Sequence, residues 1–312
     1  MNVVFCGTPR FAVPTLTTLV NSGFTVSLVV TQPDKPRGRG LEVLFSPVKQ
    51  AALQFGLPVV QPEKIKNNEQ FRSQLSSLAP DAVIVVGYGR IIPQWMIDLP
   101  LLGNLNVHAS LLPKYRGAAP IQWAIASGES VTGVTTMRID AGLDTGDILL
   151  QKEIPILADD TAETLAPRLA DLGAALMIET LYGLQAGTLT GRSQDHSKAT
   201  LAPVLKKEDG LIDFQRTAVE IWNRLRGFQP WPGAYTRFRG KQLQIHAAKP
   251  LPSLSTSTPG ELVAENDSFI VGCGNKSALE VTELQLEGKK RMSARDFLHG
   301  YRLTPGERLS GS

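Results

Sequence analysis

Residues 81–89 read DAVIVVGYG, a run of apolar, mostly β-branched residues that ends in a glycine-rich turn. A short apolar run bounded by turn residues predicts a buried strand. The stretch before it, EQFRSQLSSLAP (69–80), has the spacing of a helix, and LPVVQP (57–62) predicts an earlier strand. Strand and helix therefore alternate in this part of the chain.

The alternation extends back to the start of the sequence. Strand patterns at 2–8 and 25–32 are separated by a helix pattern at 11–23, and a second helix pattern follows at 46–56. Strands joined by helices of this length predict right-handed βαβ units. We therefore expect an α/β fold with a doubly wound, mainly parallel sheet. In such sheets, ligands lie off the carboxyl ends of the strands.

The pattern changes after residue 150. Residues 160–187 predict one long amphipathic helix, with Asp160 as its N-cap and Glu163 three residues further on. Residues 189–205 are polar and aperiodic, which predicts a linker. Beyond residue 206 a short helix precedes short strands separated by glycine turns, and strands of that length predict a small β-barrel.

The composition is that of an ordinary globular protein. The chain has 312 residues, of which 42% are hydrophobic and 20% charged. Because single cores stop growing at roughly 250–300 residues, we expect two domains. Their expected bounds are 1–188 for a catalytic domain, 189–205 for the linker and 206–312 for a C-terminal β-barrel of the OB-like type.

Charge, cysteine content and targeting signals bear on the partner and the cellular compartment of the protein. Residues 206–312 hold 16 Lys and Arg against 12 Asp and Glu, an excess compatible with a polyanionic partner. Cys6 and Cys273 form no disulfide framework, so we expect buried thiols. No apolar run approaches the roughly 18–20 residues of a membrane span, and the start of the sequence lacks a signal-peptide pattern. We expect a cytoplasmic protein.

Two common nucleotide motifs and a metal motif are missing. GYGRII (87–92) lacks the third glycine of the dinucleotide fingerprint, and GTPRFAVP (7–14) lacks the Lys-Ser/Thr of a phosphate loop. The four histidines do not stand at metal-ligand spacing from cysteine or from each other. The sequence therefore gives no support for a nicotinamide, ATP or metal-ion site.

The stretch NVHASLLPKYRGAAP (106–120) contains the strongest chemical signal. Asn106 and His108 share one face of a predicted strand end, because strand side chains alternate. A carboxylate-bearing loop, DAGLDTGD (140–147), follows in the same half of the chain. An amide can donate to an oxyanion, an imidazole can move a proton, and a carboxylate can orient an imidazole or a water. These groups suit acyl transfer to an amine, although a purely structural histidine is the alternative.

These residues also resemble a known family. NVHASLLPKYRGAAPIQWAI with DAGLDTGD is similar to the signature of the formyltransferases that use 10-formyltetrahydrofolate. Further similarity is spread over nearly all of the chain, in FCGTPRFAVP, TQPDKPRGRG, SPVK, PDAVIVVGYGRIIP, FQPWPGAYTRF and GKKRMSARDFL. The resemblance implies that Asn106, His108 and Asp144 are the catalytic set.

The resemblance also implies a folate site. The pteridine would lie between the turn at 85–89 and the loop at 140–144, and SLLP (110–113) would contact the folate unless it merely packs its loop. The residues implied are Val86, Gly87, Tyr88, Ser110, Leu111, Leu112, Pro113, Asp140 and Gly142.

The acceptor implied by the resemblance is initiator methionyl-tRNA, formylated for translation initiation. The loop DKPRGRG (34–40) would meet the tRNA through Arg37 and Arg39, and Lys206 and Lys207 would add a basic surface. We expect Trp231, in a turn between prolines, to be a core residue.

Two other functions remain open at this stage. One is formylation of a small amine, such as a glycinamide nucleotide or an aminosugar nucleotide, on the same catalytic core. The other is a folate- or RNA-binding regulator without turnover. The loop at 34–40 and the C-terminal domain argue against the first, and the complete Asn106, His108, Asp144 set argues against the second. We expect a monomer, and His196, in the linker, is expected to be exposed and without a role.

Overall fold

The computed structural model describes residues 1–37, 42–251, 258–265 and 268–310. Contacts divide the chain into two compact units. The α/β unit comprises Met1–Pro120, Val131–Pro155 and Ala166–Pro203, and the β unit comprises Ile121–Ser130, Ile156–Leu165 and Val204–Ser312. The domain bounds expected from the sequence stay a prediction.

The α/β unit is built on one seven-stranded sheet. Its strands are β1 (Asn2–Gly7), β2 (Thr25–Val30), β5 (Val59–Val60), β6 (Ala82–Val86), β7 (Asn104–His108), β8 (Val131–Arg138) and β9 (Ile148–Pro155). Their order is β5-β2-β1-β6-β7-β8-β9. The first five are parallel, whereas β8 runs antiparallel to both β7 and β9. The mainly parallel sheet is confirmed, and β3 (Lys35–Arg37) and β4 (Glu42–Leu44) form a separate hairpin.

Helices lie between the successive parallel strands, at α1 (Val13–Asn21), α2 (Pro47–Gln54), α3 (Glu69–Ser77) and α4 (Gln94–Ile97). The sequence pattern predicts the first three of them. Two more helices lie outside the parallel connections, because α5 (Pro120–Ala126) comes between β7 and β8 and α6 (Ala162–Gln185) follows β9. Side-chain caps fix the starts of α2 and α3, because Ser46 Oγ accepts Lys49 N–H at 3.1 Å and Asn68 Oδ1 accepts Phe71 N–H at 3.0 Å. No helix in the described part of the chain is long and apolar enough to cross a bilayer.

The start of α6 differs from the prediction that Asp160 is its N-cap. Thr161 Oγ1 accepts the N–H of Thr164 at 3.2 Å, and Thr164 Oγ1 accepts the N–H of Thr161 at 2.9 Å. Thr161 therefore caps the helix, in a reciprocal pair with Thr164 rather than with Glu163. The Asp160 carboxylate instead accepts Leu157 N–H at 2.7 Å, so it closes the turn before the helix.

The central strands are buried on both faces, which explains their continuous apolar runs. All five residues of β6 are buried, and Val83 and Val85 pack with Val4 and Cys6 of β1. Burial raises the pKa of the Cys6 thiol well above its usual range. This rigid centre fixes the carboxyl ends of β6 and β7, where the site residues lie.

The β unit is an antiparallel β domain. It contains α7 (Ala218–Gly227), β10 (Ala234–Phe238), β11 (Lys241–Leu251), β12 (Leu262–Glu265), β13 (Ser268–Gly272), β14 (Ala278–Leu286), β15 (Met292–Ser293) and α8 (Ala294–Gly300). The strand order is β10-β11-β14-β13-β12, with β15 paired to β14. Phe297 lies 5.2 Å from Phe238 and 5.5 Å from Phe269 between ring centroids, in edge-to-face contacts at the core.

Residues 307–310 join the two outer strands of this sheet. Arg237 in β10 and Ser310 exchange backbone hydrogen bonds of 3.1 Å in both directions. Leu262 N–H, at the start of β12, donates to Glu307 O at 2.8 Å. The segment therefore supplies both edges of the sheet with hydrogen-bond partners.

The prediction that Trp231 is a core residue is wrong, because its side chain is 56% exposed. It lies in the surface turn between α7 and β10, which is closed by the hydrogen bond from Gly233 N–H to Phe228 O at 2.9 Å. The prediction of buried thiols is confirmed for both cysteines, and burial raises the pKa of Cys273 to about 12.

Candidate active site

The site begins with two polar side chains at the carboxyl end of β7. Asn106 pairs with Val85 of β6 and with Met137 of β8, and His108 pairs with Thr135 of β8. The two side chains leave the same face of the strand, two residues apart. Asn106 is half-buried and His108 is buried, so both are held by the sheet rather than by a loose loop.

The His108 imidazole lies between two acceptor oxygens. Its Nε2 is 2.9 Å from the carbonyl oxygen of Tyr115, which only accepts, so Nε2 carries the hydrogen of this bond. Its Nδ1 is 3.7 Å from Oδ2 of Asp144. The structure therefore brings together the imidazole and the carboxylate that the sequence singled out, with Nδ1 turned toward the acid.

Asp144 is held by a neighbouring loop and by its own. Its Oδ2 accepts the N–H of Gly117 at 2.8 Å, and its φ of +51° places the backbone in the left-handed region. Asp140 closes the same loop, because its Oδ1 accepts Gly142 N–H at 3.0 Å and the hydroxyl of Thr145 at 2.7 Å. These bonds define the position of the carboxylate beside His108.

Hydrogen bonds to other protein groups also hold the segment Ser110–Pro113 in place. The fully buried Ser110 hydroxyl donates to Lys114 O at 2.6 Å. Leu112 N–H donates to Thr135 Oγ1 at 3.1 Å, and Leu112 O accepts from Gln151 Nε2 at 2.9 Å. These polar groups already have protein partners, so the segment presents a fixed shape in which Leu111 is half-buried.

The end of β6 and the turn after it contain three more residues that the sequence singled out. Val86 is fully buried, and Gly87 has a φ of +55° that favours glycine. Tyr88 is 1% exposed, and its hydroxyl has no hydrogen-bond partner within the described ranges. Burial raises the pKa of Tyr88 above its usual value. Gln32 Nε2 holds the turn by donating to Tyr88 O at 2.8 Å.

Sequence reasoning missed Arg116 and Gln194, two residues next to this site. Both side chains are buried, with 7% and 6% exposed. Gln194 Oε1 accepts from Arg116 Nη2 at 2.6 Å, and Gln194 Nε2 donates to Asp144 O at 2.9 Å. His196 is exposed as expected, but Arg116 Nη2 donates to its Nδ1 at 3.0 Å, so it is not without a partner. Arg116 stood in the quoted motif, whereas the aperiodic segment gave no signal for Gln194.

The structure describes only part of the residues predicted to contact tRNA. Arg37 is in β3, but its side chain, like the whole of Arg39, falls outside the described residues. Lys206 and Lys207 are exposed, and Lys206 N–H donates to Asp209 Oδ2 at 2.6 Å at the start of a short 3-10 turn. Over the described ranges, no group of three or more His, Cys, Asp or Glu side chains is arranged to hold a metal ion.

Comparison with known proteins identifies the class. A family model described as formyl transferase matches residues 1–181, and one described as formyl transferase, C-terminal domain, matches residues 204–302. The chain therefore belongs to the formyl transferase family, and it has the family's Rossmann-like α/β core and C-terminal β domain.

Two relatives are similar over almost the whole chain, and both are named methionyl-tRNA formyltransferase. The protein of Koribacter versatilis (strain Ellin345) is 67% identical over 99% of this chain and 98% of its own. That of Acidobacterium capsulatum is 62% identical over 99% of each chain. Among solved structures, WlaRD, a sugar 3N-formyl transferase determined with dTDP and 5-N-formyl-THF, superposes with a TM-score of 0.67. It covers 93% of this chain and 99% of its own at 19% identity, a likeness of fold.

Proposed function

We propose that this formyltransferase transfers the formyl group of 10-formyltetrahydrofolate to the α-amine of methionyl-initiator tRNA, for translation initiation in the cytoplasm. In this proposal the enzyme acts as a monomer and uses no metal ion. The observation that carries the chemistry is the 3.7 Å separation between His108 Nδ1 and Asp144 Oδ2 at the carboxyl end of β7. The relatives that are 67% and 62% identical support the choice of acceptor.

The proposed reaction proceeds through a tetrahedral intermediate. The amine nitrogen attacks the formyl carbon, a carbon–nitrogen bond forms, and the carbonyl oxygen becomes an oxyanion. The Asn106 amide and the protonated His108 ring stabilise that oxyanion. Because Tyr115 engages Nε2, Nδ1 is the ring nitrogen left for this task. Asp144, directly or through a water, takes the proton of the amine and returns one to N10 as the bond from N10 to carbon breaks.

The proposed donor site lies between two turns next to these residues. Val86, Gly87 and Tyr88 flank one side of the pteridine, and Asp140 and Gly142 flank the other. The segment Ser110–Pro113 adds a wall against the flat ring. Because Leu112 N–H and O are bonded within the protein, we propose that this segment contributes mainly apolar contact, with Leu111 as its half-buried member.

The proposed tRNA site uses basic residues of both units. Arg37 and Arg39 contact the acceptor end of the tRNA, and Lys206 and Lys207 contact the tRNA backbone. We propose that the β unit is an OB-like barrel that helps to hold the tRNA. The hydrogen bonds from residues 307–310 to both outer strands support closure of the barrel.

The decisive experiment offers several acceptors in parallel. Purified enzyme with 10-formyltetrahydrofolate is given charged initiator tRNA, uncharged tRNA, free methionine, glycinamide ribonucleotide or an aminosugar nucleotide, and formyl product is quantified by mass spectrometry. We expect product with the charged tRNA alone. Product with a small amine and none with the charged tRNA would assign the chain to the alternative acceptor class.

Replacing Arg39 with alanine tests the proposed contact with the acceptor end. We expect KM for charged tRNA to rise while kcat changes little, because a phosphate contact contributes binding rather than chemistry. The slope of log KM against log salt should fall by about 1, the effect of losing one phosphate contact. Lys64→Ala, the same loss of one positive charge at an exposed residue of the α/β unit, is the control. An unchanged KM and salt slope in Arg39→Ala would remove this residue from the tRNA site.

A further inference from the structure

The segment 192–202 lies against both loops that support the site. Arg192 and Ile148 exchange backbone hydrogen bonds of 2.8 and 2.9 Å just beyond the Asp144 loop. Arg116 N–H donates to Thr200 O at 2.8 Å, and Ala202 N–H donates to Arg116 O at 2.7 Å. The segment therefore joins the loop that carries Asp144 to the loop whose Tyr115 carbonyl holds His108. We refer to residues 192–202 as the strap.

Gln194 is the side chain of the strap that reaches Asp144. Its Nε2 donates to Asp144 O at 2.9 Å and to Gly146 O at 2.7 Å, while its Oε1 accepts from Arg116 Nη2 at 2.6 Å and Nε at 3.2 Å. Carbonyl oxygens only accept and a guanidinium only donates, so this orientation of the amide is the one that satisfies every partner. One amide thus links the backbone of Asp144 to Arg116.

The backbone of Asp144 depends on such a link. With φ at +51°, Asp144 occupies a region that non-glycine residues rarely adopt, and surrounding contacts must hold it there. Its carboxylate bonds to Gly117 N–H, the residue next to Arg116. Gln194 holds the backbone of Asp144, and Arg116 is the neighbour of Gly117. The bond between the two side chains therefore keeps the Asp144 carboxylate at a fixed distance from the Gly117 N–H.

We propose that Gln194 is a positioning residue for formyl transfer, which keeps the Asp144 carboxylate beside His108 by linking the Asp144 and Gly146 carbonyls to Arg116. This inference rests on the proposed role of Asp144 in the reaction. Gln194 itself touches neither substrate in this account. It affects catalysis by fixing the position of the Asp144 carboxylate.

Gln194→Glu is the informative variant, because it keeps the acceptor for Arg116 and removes only the donor. The carboxylate forms a charge-assisted pair with Arg116, whereas its second oxygen faces the Asp144 and Gly146 carbonyl oxygens, so the melting temperature is measured together with kcat. The carboxylate cannot donate to the Asp144 and Gly146 carbonyls when ionised, so the loop loses its donor. We expect kcat to fall about 10- to 100-fold, the range for a catalytic group displaced by about 1 Å. KM for charged tRNA should stay within about twofold.

Ser197→Ala is the matched control on the strap. The Ser197 hydroxyl donates to Asp195 Oδ1 on the exposed side, and its loss should leave kcat unchanged. If Gln194→Glu fails to fold, Gln194→Met, which keeps the side-chain length but removes all four hydrogen bonds, takes its place. A kcat equal to wild type in the folded variant overturns the inference.

A double-mutant cycle distinguishes positioning from a general structural role. If Gln194 acts through the Asp144 carboxylate, Gln194→Glu should cause no further loss in an Asp144→Asn background. The same fold-loss in both backgrounds would overturn the inference.

If wild type formylates none of the acceptors, the proposed function fails instead. A crystal structure of Gln194→Glu then tests the positioning separately, since an Asp144 carboxylate in the wild-type position contradicts it.

Discussion

Asn106→Ala is expected to lower kcat for formyl transfer by about 100- to 1000-fold, the usual cost of removing one oxyanion donor. The Asn106 amide is half-buried at the end of β7, on the same face as His108. Because the oxyanion develops only in the transition state, the loss should appear in kcat rather than in KM for either substrate. Single-turnover rates at saturating donor and charged tRNA measure the effect directly.

Asn104 offers a matched control on the same strand and face. Its side chain is buried and donates to Met96 O at 2.7 Å and Ile97 O at 3.1 Å. Asn104→Ala leaves these groups without their donor and should lower the free energy of unfolding by about 1–3 kcal/mol, with kcat of the folded enzyme retained. Asn106→Ala should instead lower kcat and keep the free energy of unfolding. Near-wild-type kcat in Asn106→Ala would exclude the amide from the mechanism.

Asp144→Asn is expected to lower kcat by about 100- to 10,000-fold, the contribution typical of a general base. The amide has the same shape, its oxygen can still accept Gly117 N–H, and asparagine tolerates the left-handed backbone. The variant should therefore fold normally. It loses the charge beside His108 Nδ1 and the acceptor for the proton of the amine.

Asp147→Asn is the control for this charge change. Asp147 lies three residues further along the chain, is half-buried and accepts the hydroxyl of Ser193 at 3.1 Å. Its neutralisation should change kcat by no more than about twofold, because no step of the proposed reaction involves it. Equal losses in Asp144→Asn and Asp147→Asn would show that the net charge of the loop, rather than a proton acceptor, supports turnover.

The parts of this structure that the sequence predicted follow from local periodicity. The apolar runs at β1, β2 and β6 and the intervening helix patterns specify βαβ units, because burial on both faces requires such runs. Strand alternation also placed Asn106 and His108 on one face. Each of these inferences uses residues that are close in sequence.

The parts that could not be predicted depend on contacts between distant segments. The bonds from Gln194 to Arg116 and to Asp144 span 78 and 50 residues, and no periodic pattern encodes them. The strap was therefore predicted as a linker, because its polar residues show no amphipathic face. Trp231 was predicted as a core residue from its flanking prolines, which indicate a turn but not the direction in which its ring points.

The hydrogen bonds of Ser310 have a consequence for synthesis on the ribosome. Thr236, in β10, is bonded to Ser310 across 74 residues of sequence. At about 5–20 residues per second, β10 emerges roughly 4–15 s before that partner exists. During that interval one border of the nascent sheet is an open template for other unfolded chains. The β unit should therefore be most prone to aggregation late in translation, when chaperone protection matters most.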